Sequence, residues 1–388
     1  MNWFVIKTNK IKLLGIIFFI LAIFSKGFGD AIIIKNNPYS AFNYVKYIFL
    51  ILSAFCFFLL HRKKRYFKSE YQSLLLCYFC IFLVSLFFSF CSSHFTFRTI
   101  KEMIFILVPI IFTYYALNTL TLNEIINLSK MSIIVFAISY FIEIASSFTF
   151  AGAIQAISNF SLLGGQASFA YDALESSAFP DAMMSLFCFF VYFSKGNKKW
   201  LWISYTCILL MNKRFIILFA TLLLIIVYTP YFNKILHKEV NKKLYWIPVI
   251  FFTVSPLIVA YLTRPEVEGA ILNYFGFNMP DFWMGRDKMV QFYETNHFLS
   301  YGLGSTFDFR DKLLEIESVK FYFETTLIGS FLLSFTYWKI AKRNFFSLML
   351  MLYIFINMNT STSIVTGAFA WIFYFILIGV VNKNGQSS

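Results

Sequence analysis

Arginines and carboxylates gather in one stretch of an otherwise apolar chain. Between about residues 263 and 318 the sequence turns polar, with FWMGRDKMVQFYETNHFLSYGLGSTFDFRDKLLEIES (Phe282 to Ser318) at its centre. Arg286 can hold an anionic group there, because a guanidinium presents a planar fork of donors to phosphate or carboxylate oxygens. Glu315 and Glu317 stand where the stretch returns to apolar sequence, and either can take a proton from a hydroxyl nucleophile. Glu175 and Glu294 are further acids. Glu324 falls inside a hydrophobic segment, where an ionisable residue is a candidate functional group by default. Two more basic sites stand out, Arg98 with Lys101, and Lys213 with Arg214. The second pair interrupts WLWISYTCILLM and FIILFATLLLIIVY almost without a polar flank. An arginine in such a place costs ~2.5–3.5 kcal/mol unless it meets a counter-charge or a wet cavity, so an anionic partner is expected. Lys288, Arg310, Lys312 and Lys320 read as ordinary solvated charges.

Several chemistries are excluded by what is missing. His94 and His297 are isolated, and no HxxxH or HExxH pattern exists, so no metal site is expected. A Walker motif, a GxSxG elbow and a Rossmann fingerprint are all absent, which removes ATP-driven and serine-hydrolase readings. No cofactor is implied. The six cysteines lie within or at the ends of hydrophobic segments. Cys77 and Cys80 have CxxC spacing on an apolar helical stretch, which makes them buried small residues rather than redox or metal ligands.

The elements that must position these residues are membrane helices. The chain is 59% hydrophobic and 13% charged, with mean hydropathy +0.70; soluble domains are nearer a quarter charged. With roughly 20 apolar residues per crossing, about twelve spans can be read. They fall near 13–34, 44–60, 71–91, 102–119, 131–150, 180–194, 199–212, 214–230, 244–262, 319–338, 345–359 and 364–381. The expected fold class is therefore an all-α polytopic membrane protein, one membrane domain over 1–388. Lys and Arg concentrate in alternate short loops, including HRKKRYFK (His61 to Lys68), which by the positive-inside rule puts both termini in the cytoplasm. The basic pI near 9.4 follows from that topology and gives no reason to expect nucleic acid as a partner. The first span reads as an uncleaved anchor.

Two outward segments exceed ordinary loop length, a smaller one over 151–179 and a large one over 263–318; long ordered loops are usually functional. In the large loop, Asp281 to Phe298 reads as an amphipathic helix with Asp281 as N-cap. Arg286, Val290, Tyr293 and His297 then share one face. Gly302-Leu303-Gly304 ends that helix, and a second runs from Phe309 into the tenth span.

At this point the chain resembles the O-antigen polymerase and ligase superfamily. ILLMNKRFIILFATLLLIIVY (Ile208 to Tyr228) is similar to that family's short outward turn ending in Arg. WMGRDKMVQFYETNHFLSYGLGS (Trp283 to Ser305) resembles its Gly-Arg helix and Gly-x-Gly turn. LLEIESVKFYFETTLIGSFLL (Leu313 to Leu333) resembles its Glu-rich re-entry into the membrane, and YDALESSAFPDAMM (Tyr171 to Met184) its other outward loop. Two departures matter. The ligases' His position falls at about Glu315, which favours a Wzy-type polymerase. The Arg usual in the smaller loop is missing, leaving Asp172 and Glu175.

The resemblance implies a metal-independent membrane glycosyltransferase at the periplasmic face of a bacterial inner membrane. Its large periplasmic loop would contain short helices. Its partners would be undecaprenyl-pyrophosphate-linked oligosaccharide, membrane lipids and a chain-length regulator protein. In that frame Arg214 and Arg286 stabilise the leaving pyrophosphate, and Glu315 or Glu317 activates the acceptor hydroxyl. Trp283, Tyr293 and Tyr322 offer ring faces to sugars, and Arg98, Lys213, His297 and Glu324 complete the substrate site. A lipid-linked oligosaccharide flippase is the rival from another class, and it would place charges inside the spans. A ligase is the rival within the family. A secondary transporter would show broken helices marked by Gly or Pro, and no such pairs of breaks are found.

Overall fold

The computed structural model describes residues 2–29, 42–60, 67–147, 179–211, 213–236, 238, 245–341, 344–361 and 368–384, and all regular structure among them is helical. The helices run α1 (Asn2–Phe28), α2 (Phe42–Leu59), α3 (Lys68–Cys91), α4 (Phe97–Thr119), α5 (Leu122–Ser147), α6 (Pro180–Tyr192), α7 (Lys198–Leu210), α8 (Arg214–Val227) and α9 (Phe232–Leu236). They continue as α10 (Trp246–Leu262), α11 (Pro265–Phe275), α12 (Met279–Trp283), α13 (Arg286–Thr295), α14 (Ser305–Arg310), α15 (Glu317–Ala341), α16 (Phe345–Met358) and α17 (Ala368–Asn384). The smaller loop expected over 151–179, with Asp172 and Glu175, lies outside the described residues except for Phe179.

Among the described residues, four helical stretches are long and apolar enough to cross a membrane: Asn9–Phe28, Lys68–Cys91, Phe97–Thr119 and Leu122–Glu143. A fifth is added if α10 and α11, bent by 84°, count as one span. The physical basis is plain in α3. Leu76, Phe79, Leu83, Phe87 and Phe90 all point outward, while Leu74, Tyr78 and Ile81 are fully buried. Such a helix is apolar on both faces and suits a lipid surround, where only intrahelical hydrogen bonds can satisfy the backbone. Helices α6, α7 and α8 have 13, 13 and 14 residues, shorter than the roughly 17–25 of a full crossing. Along α6 every residue from Pro180 to Val191 is buried, as in an interior helix.

The chain divides into two compact units. The first comprises Met1–Tyr71, Val108–Lys234 and Gly367–Ser388; the second comprises Gln72–Leu107 and Ile235–Thr366. In the first, α1 packs along α2 and α6 against α17. Lys12 Nζ meets Glu124 Oε1 at 2.7 Å, tying α1 to the start of α5. In the second, α10 packs along α15, and α15 along α16. Phe252 stacks on Trp338 at 5.8 Å between ring centroids. The large loop has its own apolar core on top of this pair: Met279, Trp283, Val290, Tyr293, Leu314 and Ile316 pack with Val259, Ala260 and Val319.

The loop's helices are shorter than its periodicity predicts. The helix expected over Asp281 to Phe298 is two, because Met284 (φ 54°) and Gly285 (φ 84°) both adopt left-handed backbone. Glycine does this at little cost, which makes Gly285 the breaking point. Asp281 therefore lies within the first turn of α12, and Asn278 precedes the helix, its Nδ2 donating to Asp281 Oδ2 at 2.6 Å. The second expected helix is also interrupted: α14 stops at Asp311 (φ 54°), and α15 starts afresh at Glu317.

Helix α15 is itself broken. Thr326 holds φ 59° and ψ −167°, a region essentially reserved for glycine and costing a β-branched residue roughly 1–3 kcal/mol. Neither Gly nor Pro marks this break, so it has no signature in the sequence. Thr326→Gly is expected to stabilise the protein by about 1 kcal/mol, read as a higher melting temperature in detergent, whereas Thr326→Val should not.

Candidate functional site

Four charged side chains form a continuous line inside the second unit. Arg98 Nε lies 3.4 Å from Glu102 Oε1. Glu102 Oε2 lies 2.6 Å from Lys320 Nζ, and Lys320 Nζ lies 3.6 Å from Glu324 Oε2. Charges alternate along the line, and the buried Glu317 also acts on Lys320. The side chains of Glu102, Lys320 and Glu324 are 3%, 2% and 0% exposed, and only Arg98, at 21%, reaches the surface. Two helix turns supply it: Arg98 and Glu102 are an i,i+4 pair at the start of α4, and Lys320 and Glu324 another at the start of α15.

The glycine turn of the large loop covers this line. Leu303 N donates to Ser85 Oγ at 3.2 Å, Thr99 Oγ1 donates to Leu303 O at 2.7 Å, and Ser89 Oγ donates to Tyr301 O at 2.6 Å. Gly302 (φ 106°) sits so close to α3 that a Cβ would stand 2.7 Å from Ser85 O. A Cβ on Gly304 would stand 2.7 Å from Arg98 Cγ. Both positions therefore need glycine, one for its backbone conformation and approach to a carbonyl, the other for the arginine stem. Just beyond, Thr306 donates to Glu324 Oε1 from its backbone N, at 3.2 Å, and from its hydroxyl. Ser300 Oγ donates to Glu324 O at 2.7 Å. The Arg98 guanidinium lies over the Phe307 ring, a cation–π contact.

Lys320 corrects the sequence reading most directly. It was expected to be a solvated charge, yet it is 1% exposed. Helix α15 begins at Glu317 and the loop folds back over its first turns, so Lys320 faces inward. Apolar periodicity marks neither Glu102 nor Thr306. The two i,i+4 pairs of opposite charge were a readable signal for Glu102.

The remaining candidates separate into accessible and structural groups. Arg286 Nε lies 2.9 Å from Glu315 Oε2, with the Glu315 side chain 43% exposed and that of Arg286 17%. Glu317, by contrast, is 2% exposed. Trp283 and Tyr293, expected to offer ring faces, are core residues at 4% and 1% exposure. Tyr293 packs near Phe298, Phe309 and Phe323, and its hydroxyl donates to Thr306 O at 2.8 Å. On α13 the buried side chains are Asp287, Val290 and Tyr293, so the Tyr293 ring fills the loop core and presents no face to a sugar. His297 lies past the helix end, exposed, with φ 49°, so it does not share the face of Arg286. Tyr322 is half-buried beside Phe323. In the first unit, Lys213 is buried and its Nζ lies 3.4 Å from Asp181 Oδ2. The anionic partner expected there is thus, for Lys213, an internal aspartate in the first turn of α6. Arg214 opens α8.

Two buried acids of the large loop, Glu268 on α11 and Asp287 on α13, interact with one another. Glu268 and Asp287 are 7% and 2% exposed, and Glu268 Oε1 and Asp287 Oδ1 have no hydrogen-bond partner. Burial, and then the Asp287 charge, pushes the Glu268 carboxyl up to about 6. Among the described residues no three His, Cys, Asp or Glu side chains converge as a metal site requires. Compared with protein-family profiles, with curated proteins and with solved structures, the chain matches none.

Two outcomes follow from these charges. Lys320→Met leaves buried carboxylates uncompensated and should cost ~3–5 kcal/mol. The double variant Lys320→Met with Glu324→Gln keeps Arg98 opposite Glu102 and should recover much of that loss in thermal unfolding. For Glu268 the folded carboxyl binds its proton more tightly than the unfolded one. Its contribution to stability is therefore present at acid pH and lost as pH rises from about 4.5 through about 6. Glu268→Gln should raise the melting temperature above pH 6 and flatten its dependence on pH.

Proposed function

We propose that the chain is a Wzy-type polymerase of O-antigen or a related surface polysaccharide, a twelve-span protein of the bacterial inner membrane with both termini cytoplasmic. The observation that carries this reading is the Arg286–Glu315 pair, an arginine and an accessible acid 2.9 Å apart in the segment that resembles the family's Gly-Arg helix and Glu-rich turn. In the reaction, a hydroxyl at the non-reducing end of a new lipid-linked repeat unit bonds to the anomeric carbon of the growing chain. The bond from that carbon to the lipid pyrophosphate breaks, and its electron pair leaves with the pyrophosphate. Glu315 takes the hydroxyl proton; its exposure suits it better than the buried Glu317. In the free protein Arg286 is neutralised by Glu315. An arriving pyrophosphate competes for the guanidinium and so frees the carboxylate to act as base. Arg214 is given a similar role by the resemblance alone, and Arg98 stands as the exposed end of the buried charge line.

A lipid-linked oligosaccharide flippase is the second reading, and the ion line favours it, because buried charges on helices with a break at Thr326 are what a transport pathway presents. The acid at Glu315 in place of His weighs against a ligase.

The two readings part in a gel of surface polysaccharide from a deletion strain complemented with wild type, Arg286→Ala or Glu315→Gln. A polymerase gives a ladder with wild type and a single added repeat unit without it. Loss of one electrostatic donor should lower polymer yield about a hundredfold. Complete loss of repeat units in the deletion strain points to the flippase, and a wild-type ladder from both variants at matched expression would sink the site assignment.

A further inference from the structure

Past the end of α10 the chain turns by 84° into α11. Arg264 is extended there (ψ 135°) ahead of Pro265, which breaks the α10 helix and opens the next. Helix α10 shows an outward apolar row, Ile247, Ile250, Val254, Ile258 and Tyr261, each at least 40% exposed, the surface a lipid-facing helix presents. Helix α11 carries that surface onward. Leu272 is 48% exposed, Tyr274 83% and Phe275 80%, and beyond the helix Phe277 and Phe282 are 48% and 49% exposed. No charged residue occurs from Gly269 to Pro280, although the rest of the loop is rich in charge.

The direction of α11 is held from its other side. Ile271 packs against the loop core and Glu268 is buried. The Arg264 side chain stands 5.7 Å from the Tyr261 ring and 3.3 Å from Glu294 Oε2, bracing the corner. Eleven residues at 1.5 Å each carry the aromatic tip roughly 16 Å sideways from the end of α10. A helix at right angles to a membrane-crossing one runs along the bilayer surface, where Tyr and Phe bury an apolar body among head groups.

We propose that the α11 tip, with Phe277 and Phe282, is an interfacial anchor that holds the large loop against the lipid surface. The partner is the membrane itself. Continuity with the lipid-facing row of α10 and the uncharged run select it over a second protein. This inference needs α10 to cross the membrane and is independent of the polymerase reading.

Full-length protein in phosphatidylcholine–phosphatidylglycerol liposomes provides the test. With Cys80 and Cys91 replaced by Ser, nitroxide is attached at Tyr274→Cys or Phe275→Cys, and at Glu266→Cys as a reference. Collision rates with oxygen and with a nickel chelate are then compared. The anchor predicts an oxygen-to-nickel ratio several-fold higher at 274 and 275 than at 266. Equal ratios at all three positions would overturn it. Dipolar broadening between labels on neighbouring copies would also overturn it, by assigning the patch to a second copy of the chain.

Discussion

A line of four alternating charges, three of them removed from solvent, governs the second unit. In a low-dielectric interior a lone Glu102 or Glu324 would carry a large desolvation penalty, so each charge requires its neighbour. That requirement fixes how the starts of α4 and α15 face one another. It also fixes the loop, because Thr306 supplies two donors to Glu324 and the Gly302 and Gly304 backbone must approach α3 and Arg98 closely for Thr306 to arrive. The loop is therefore seated by polar satisfaction as well as by its apolar core, and a polar group lost at one end leaves others unpaired.

The accessible chemistry lies at the margins of this buried assembly. Arg98 is its one solvent-reaching member, and Arg286 and Glu315 form a more open pair near the loop's return to α15. The division of labour is physical. Charges locked to one another inside hold geometry, while a partly exposed pair can exchange partners when an anion arrives. Lys213 belongs with the first kind, held by Asp181, despite its suggestive position between two apolar runs.

Helical class, apolar spans and the location of the polar segment were legible from hydropathy, because lipid imposes a composition that water does not. Arg286 and Glu315 were legible as residue types, though not as an ion pair. What escaped was non-local or depended on backbone sign. Lys320 read as solvated because its burial comes from Gly302–Thr306 folding over it, a contact that helical periodicity does not encode. Tyr293 reads as a sugar platform because amphipathic periodicity does not say which face of α13 packs onto the loop core, and the break at Thr326 has no sequence mark. Charge pairs at i,i+4 are the mark that the buried line leaves in the sequence.

The central claim, that this chain lengthens lipid-linked glycans through Arg286 and Glu315, is tested most directly with purified protein in liposomes supplied with an undecaprenyl-pyrophosphate-linked repeat unit and no nucleotide sugar. Mass spectrometry of the lipid-linked products should show masses rising by whole repeat units, with release of undecaprenyl pyrophosphate, and neither product with Glu315→Gln. Repeat units that cross the bilayer without growing would contradict the account and identify a flippase instead.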